Sequence, residues 1–148
     1  MNDVSIPDQN PDQSLPAGHR WHRLVLSAAS LHSAFWGVFI LGLPEKSSLV
    51  YGFDKPPTDL FLWQGTGLLI LLLGMGYAIA SRNPVQHWAV ILIGLIAKVL
   101  GPIGMCQSVL EGKVPARVLI LLPVNDVLWW IPFALILNHA RTSSMTRP

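Results

Sequence analysis

The stretch that decides the fold is LFLWQGTGLLILLLGMGYAIA, residues 60–80, which contains no charged side chain. A helix needs about 20 predominantly apolar residues to cross the hydrocarbon core of a bilayer, and this stretch has that length. Three further stretches, at about 24–43, 88–110 and 118–138, are comparably long and apolar. None of the four alternates between polar and apolar residues, as the strands of a membrane β-barrel do. We therefore predict an all-α integral membrane protein that forms a bundle of four transmembrane helices.

The composition of the whole chain points to the same class. Of its 148 residues, 51% are hydrophobic and only 12% are charged, whereas a soluble domain carries about 25% charged residues. The net charge of +2 is too small to indicate binding to DNA or RNA, so no nucleic-acid partner is expected. The single cysteine, Cys106, excludes a disulfide framework and a cysteine-ligated metal centre. The partner that the composition predicts is the lipid bilayer.

The segments outside the spans divide the chain and set its expected orientation. We predict a disordered cytoplasmic tail at 1–23, the membrane domain at 24–138 and a short C-terminal tail at 139–148. Basic residues favour the cytoplasmic side of a membrane. Five lie on the side of the termini and four on the other side, namely Arg20, Arg23, Arg82, Arg141 and Arg147 against Lys46, Lys55, Lys113 and Arg117. This difference favours an orientation with both termini in the cytoplasm.

The connections between the spans are of two kinds. The two short ones, 81–87 and 111–117, contain seven residues each, so the helices that they join are expected to be adjacent and antiparallel. The connection at 44–59 is longer and places apolar residues between Pro44 and Pro56. We expect a structured loop there, and a lid over a functional site is the alternative.

Small residues recur at helical spacing in three of the spans. In the first span Ala29, Ser33 and Gly37 are four residues apart, and the second and third spans contain Gly67, Gly74, Gly94, Gly101 and Gly104. Small side chains let membrane helices approach closely. We expect these faces to pack within the bundle, and a homodimer interface is the alternative.

Two ionisable residues lie inside otherwise apolar spans. Lys98 is in the third span and Asp126 in the fourth, and each costs about 2.5–3.5 kcal/mol at the centre of a membrane helix. Such residues normally face the bundle interior and have a partner. The depths of Lys98 and Asp126 differ by about 6 Å, so an ion pair is within reach. His32 lies at a compatible depth, while Asn125 lies about 100° around the helix from Asp126.

These residues admit two interpretations. In the first, Lys98 and Asp126 neutralise each other and only hold the bundle in register. In the second, prolines at 102, 123 and 132 bend the third and fourth helices and open a pocket for a small ligand or a proton. Its lining would consist of His32, Lys98, Asn125, Asp126, Trp129 and Trp130. His19 and His22 are spaced as metal ligands on a helix but lie beside arginines, so neither a metal nor another cofactor is predicted.

Three segments resemble a known family. GYAIASRNPVQHW (76–88) combines a helix end with a short basic turn, and KVLGPIG (98–104) and NDVLWWIPF (125–133) follow it. Together they resemble the DoxX-like group of small four-helix bacterial membrane proteins. The resemblance implies a four-helix membrane fold and, for some members, a role as an accessory subunit of a membrane redox enzyme. It implies no catalytic residue.

Two classes of function follow. The chain is expected to be an accessory subunit or a binder of a small apolar molecule. The alternative is a proton-coupled small transporter or an intramembrane enzyme that uses His32, Lys98 and Asp126. No particular reaction is predicted.

Overall fold

The computed structural model describes the backbone of residues 17–145 and the side chains of residues 20–142, and all regular structure within them is helical. The α-helices are α1 (Ala17–Gly42), α2 (Pro44–Tyr51), α3 (Leu60–Arg82), α4 (Trp88–Leu110) and α5 (Leu128–Met145). A 3₁₀-helical segment, Ala116–Leu121, and a π-helical turn, Pro123–Val127, precede α5. Four segments are long and apolar enough to cross a membrane: Arg20–Gly42, Leu60–Arg82, Trp88–Leu110 and Ala116–Thr142. The predicted all-α fold with four spans is confirmed.

The helices of the first and the fourth span extend further than predicted. α1 begins at Ala17, so the end of the expected tail at 1–23 is helical, while residues 1–16 lie outside the described residues. α5 continues to Met145 through most of the expected C-terminal tail. Both extensions have packing partners, because the rings of His22 and His139 are 4.8 Å apart and both His22 and Ala140 are buried. The side chain of His19, the other half of the candidate metal pair, lies outside the described side chains.

The closest helix contact joins α1 to α3, and small residues make it possible. A Cβ atom added at Gly37 would lie 2.7 Å from Cβ of Leu71, and one added at Gly67 would lie 2.6 Å from the Ile40 side chain. Gly74 sits against the backbone and side chains of α1 around Ser30 and Ser33. These glycines and the small residues of α1, of which Ala29 and Ser33 are buried, therefore pack within the bundle, as the spacing predicts. For Gly101 and Gly104 of α4 the prediction is wrong, because both are exposed and an added Cβ atom would have nothing within 4 Å.

The 44–59 connection is a structured cap over one end of the bundle. Pro44 begins α2, and Gly52 ends it in the left-handed conformation (φ 108°), which glycine adopts without strain. Trp63 donates its indole N–H to Oγ of Ser47 at 3.0 Å. The backbone of Gly52 lies directly against Arg117, whose side chain forms an ion pair with Asp54. The cap thus contacts both α3 and the start of the fourth span.

The fourth span is irregular where Pro123 interrupts it. Proline has no N–H, and the carbonyl of Leu119 accepts a 3₁₀-type hydrogen bond from Leu122. After the proline, the carbonyl of Pro123 accepts from Leu128, five residues later. This π-helical turn contains Asn125 and Asp126. Short π-helical turns inside α-helices are rare and occur frequently at functional sites.

Candidate functional site

A cavity of about 240 Å³ lies between the four spans, in the half of the bundle covered by the cap. Each span and α2 contribute to its lining, and most of the lining side chains are apolar or aromatic: Trp36, Ile40, Tyr51, Ile70, Leu73, Tyr77, Ala97, Met105 and Leu122. An engineered protein cavity of about 150 Å³ holds benzene. The present cavity therefore has room for a six-membered ring with several substituents.

The polar side of the cavity is formed by Lys98 and the π-helical turn. Nζ of Lys98 donates to the backbone carbonyl of Asn125 at 2.5 Å and to Oδ1 of Asp126 at 3.4 Å. The side chains of Lys98 and Asp126 are only 13% and 17% exposed, so the ion pair lies inside the bundle. A lysine ammonium has three N–H donors, which leaves one for a further acceptor.

The first span joins the same cluster through His32. Its Nε2 lies 3.1 Å from Oδ1 of Asn125, whose side chain is buried. The structure therefore brings His32, Lys98, Asn125 and Asp126 together at the cavity. Asn125 contacts His32 of α1 and Asp126 contacts Lys98 of α4, so the two side chains face different neighbours, as their spacing predicts, and both nevertheless line the cavity.

Two tyrosines add phenol hydroxyls to the lining, beside the hydroxyls of Ser33 and Thr66. Tyr77 is fully buried, and its hydroxyl has no hydrogen-bond partner among the described residues. Tyr51 lies at the cap, where its ring is 5.8 Å from that of Trp36. Burial raises the pKa of Tyr51, and a hydrogen bond with Asn125 acts in the opposite direction. The Tyr51 hydroxyl is thus neutral at physiological pH.

The two tryptophans expected in the lining lie elsewhere, so this part of the prediction is wrong. Trp129 is buried in the apolar core, with its ring 5.6 Å from that of His32 and 6.2 Å from that of Phe133. Trp130 turns toward α4, where its indole N–H donates to the carbonyl of Lys98 at 2.9 Å. Trp130 therefore holds the backbone that carries Lys98, and Trp36 supplies the indole wall of the cavity.

The opposite half of the bundle is packed. A cluster of buried apolar side chains fills it: Leu26, Ala29, Tyr77, Ala80, Ile91, Trp129, Phe133, Ile136 and Leu137. Tyr77 belongs both to this cluster and to the cavity lining, so it forms the floor between the two. The cavity therefore lies on one side of a closed core.

Sequence reasoning missed Trp36, Tyr51 and Tyr77. A usable signal was present for two of them. Trp36 lies well inside a span, although tryptophans of membrane helices are enriched at the interfaces. Tyr77 carries the only phenol within the spans, and a buried tyrosine hydroxyl usually has a partner.

No family model, curated protein or solved structure matches the chain.

Proposed function

We propose that this protein binds a small, mostly apolar molecule inside the membrane and holds it by an uncharged oxygen atom. The observation that carries this proposal is the partly open cavity of about 240 Å³ between the spans, which has apolar walls and a polar cluster on one side. Small-molecule sites combine these two features, an apolar lining and a few placed polar groups.

The polar groups favour a neutral acceptor. The charges of Lys98 and Asp126 offset each other at 3.4 Å, so the cavity supplies no net charge to match an ion. Donors are available from the third N–H of Lys98 and from the unpartnered hydroxyl of Tyr77. A carbonyl or ether oxygen would accept from these groups, and leaving a buried hydroxyl unpaired is costly.

The alternative, a proton-coupled transporter or enzyme built on His32, Lys98 and Asp126, receives less support. Transport requires access to the cavity from both sides of the membrane. The packed cluster around Phe133 and Ile136, both fully buried, closes the half of the bundle that faces the 81–87 connection. A one-sided pocket fits a binding role better than a transport path.

The cellular setting is part of the proposal. We place the chain in a bacterial inner membrane with both termini in the cytoplasm, which puts the cap on the outer side. A DoxX-like role as accessory subunit to a membrane redox partner is compatible with this placement, and so is a homodimer. The charge distribution across the connections and the family resemblance support these assignments.

Acetophenone is a suitable probe because it combines a six-membered ring with one carbonyl oxygen. In lipid nanodiscs it should raise the melting temperature of the protein in a saturable manner, since a ligand that binds the folded state stabilises it by RT ln(1 + [L]/Kd). The variant Ala97→Phe places a ring in the lining and should abolish the effect.

Ala89→Phe is the matched control, because Ala89 lies on the same helix, is exposed and does not line the cavity. It should respond to acetophenone as the wild type does. Equal stabilisation of wild type, Ala97→Phe and Ala89→Phe would locate the effect in the bilayer and contradict the proposal.

A further inference from the structure

The seams between neighbouring helices differ in how tightly they close around the cavity. The α1–α3 seam is closed by Gly37 against Leu71 and by Gly67 against Ile40. The seam between α4 and the fourth span is closed by the contacts of Lys98 with the π-helical turn and by the hydrogen bond from Trp130.

The remaining sides of the cavity are covered in a similar way. His32 closes the seam between α1 and the fourth span through Asn125 and through its ring contact with Trp129. Above the cavity, the backbone of Gly52 packs on the start of the fourth span, and Tyr51 contacts the ring of Trp63. Entry from the capped end or through these seams would require contacts to break.

The α3–α4 seam is closed in only one half. Near the 81–87 connection, Gly76 lies against Val90 and Gly94 lies against the ring of Tyr77. In the capped half, Thr66 on α3 and Gly101 on α4 both line the cavity and are exposed at the bundle surface. A Cβ atom added at Gly101 would have nothing within 4 Å. The two helices thus leave a gap beside the cavity, at a depth where the bundle faces lipid.

We propose that this gap, between Thr66 and Gly101, is a lateral portal through which a single-chain amphiphile reaches the cavity from the bilayer. Its uncharged oxygen-bearing head enters the cavity, and its apolar chain stays between α3 and α4 and extends into the lipid. This proposal rests on the binding function proposed above.

The size of the cavity supports a ligand that is only partly enclosed. Pockets that enclose drug-sized ligands measure about 300–1,000 Å³, and the present cavity measures about 240 Å³. A head group of ring size fits inside, whereas a long chain does not. Leu69, three residues after Thr66, and Leu100, next to Gly101, are apolar and exposed, so a chain that leaves the portal meets a lipid-like surface.

The test compares two probes in nanodiscs. Acetophenone fits inside the cavity as a whole, while 4-dodecylacetophenone carries the same head on a chain that must leave through the portal. Gly101→Leu places a side chain in the gap, and Gly104→Leu is its matched control, because Gly104 is exposed with equally free space but does not line the cavity.

Both probes should stabilise the wild type and Gly104→Leu. In Gly101→Leu binding of 4-dodecylacetophenone should weaken by about tenfold more than binding of acetophenone, because the chain of the long probe and the leucine compete for the same space. Thr66→Leu, on the opposite wall, should show the same selective loss.

Undiminished binding of the long probe to Gly101→Leu and Thr66→Leu would overturn the portal. Equal loss of both probes would also overturn it, because these positions would then belong to the pocket itself. If neither probe stabilises the wild type, the proposed binding function fails, and the portal fails with it.

Discussion

The ion pair between Lys98 and Asp126 offers a sharp test, because the structure predicts unequal effects for its two halves. Lys98→Met leaves the Asp126 carboxylate inside the bundle without its charged partner. Asp126→Leu leaves Lys98 with the backbone carbonyl of Asn125, which lies 2.5 Å from Nζ. The first variant should therefore be the more destabilised of the two.

The expected magnitude follows from burial. Removing one partner from a buried ion pair costs about 3–5 kcal/mol, and the side chains of this pair are 13% and 17% exposed. We expect a decrease in the free energy of unfolding near that range for Lys98→Met and a smaller decrease for Asp126→Leu. The double variant should recover much of the loss, because apolar side chains often replace a buried pair without cost.

The assay is reversible unfolding of the detergent-solubilised protein, followed by circular dichroism. A matched control is Lys113→Met, which breaks the shorter but exposed ion pair between Lys113 and Glu111 at 2.6 Å and should change stability little. If the losses of the two single variants simply add in the double variant, Lys98 and Asp126 do not stabilise the fold as a pair. If Lys113→Met lowers the free energy of unfolding as much as Lys98→Met does, burial is not what makes the Lys98–Asp126 pair important.

Three further predictions address the packing, the cap and the topology. Gly37→Ala should lower the free energy of unfolding by about 1–3 kcal/mol because its Cβ meets Leu71, whereas Gly65→Ala, with open space around it, should not; equal melting temperatures would contradict the α1–α3 seam. The variant Tyr77→Phe leaves Tyr51 as the only tyrosine of the chain. The tyrosinate absorbance of this variant should therefore show Tyr51 titrating above its ordinary pKa of about 10. Because the raised pKa favours the neutral form in the folded state, its contribution to stability is present below pH 10 and is lost as the pH rises through that raised pKa. Titration at the ordinary value would show that the cap does not bury this ring. Reporter fusions after residue 148 and within 81–87 should indicate the cytoplasm and fusions within 44–59 the outside; the reverse pattern would contradict the proposed orientation.

The part of this fold that sequence could predict is the part that depends on local composition. Four apolar stretches of membrane length and the small residues of α1 and α3 determine the spans and their closest seam, because length and side-chain size act in the same way wherever the helices meet. Lys98 and Asp126 could be paired because an unpartnered charge inside a membrane is costly.

The remainder depends on which neighbour each face of the fourth span meets. Asn125 and Trp129 are four residues apart and both contact His32 of α1, while Asp126 and Trp130 are four residues apart and both contact Lys98 of α4. Helical spacing predicts that each pair shares a face, but it does not predict that the cavity lies beside Asn125 and Asp126 rather than beside the two tryptophans. Tyr51 could not be assigned to the site either, because its position depends on the folding of the 44–59 connection into α2.

A crystal structure of the protein soaked with 4-bromoacetophenone would show where the ligand binds, because the anomalous signal of bromine locates it. We expect a bromine peak inside the cavity bounded by Trp36, Tyr77 and Lys98, with the carbonyl oxygen within hydrogen-bond distance of Nζ of Lys98 or the hydroxyl of Tyr77. The peak should be absent from Ala97→Phe. Bromine peaks confined to the lipid-facing surface, with the cavity unoccupied or filled by side chains, would show that the cavity is not a binding site for such a molecule.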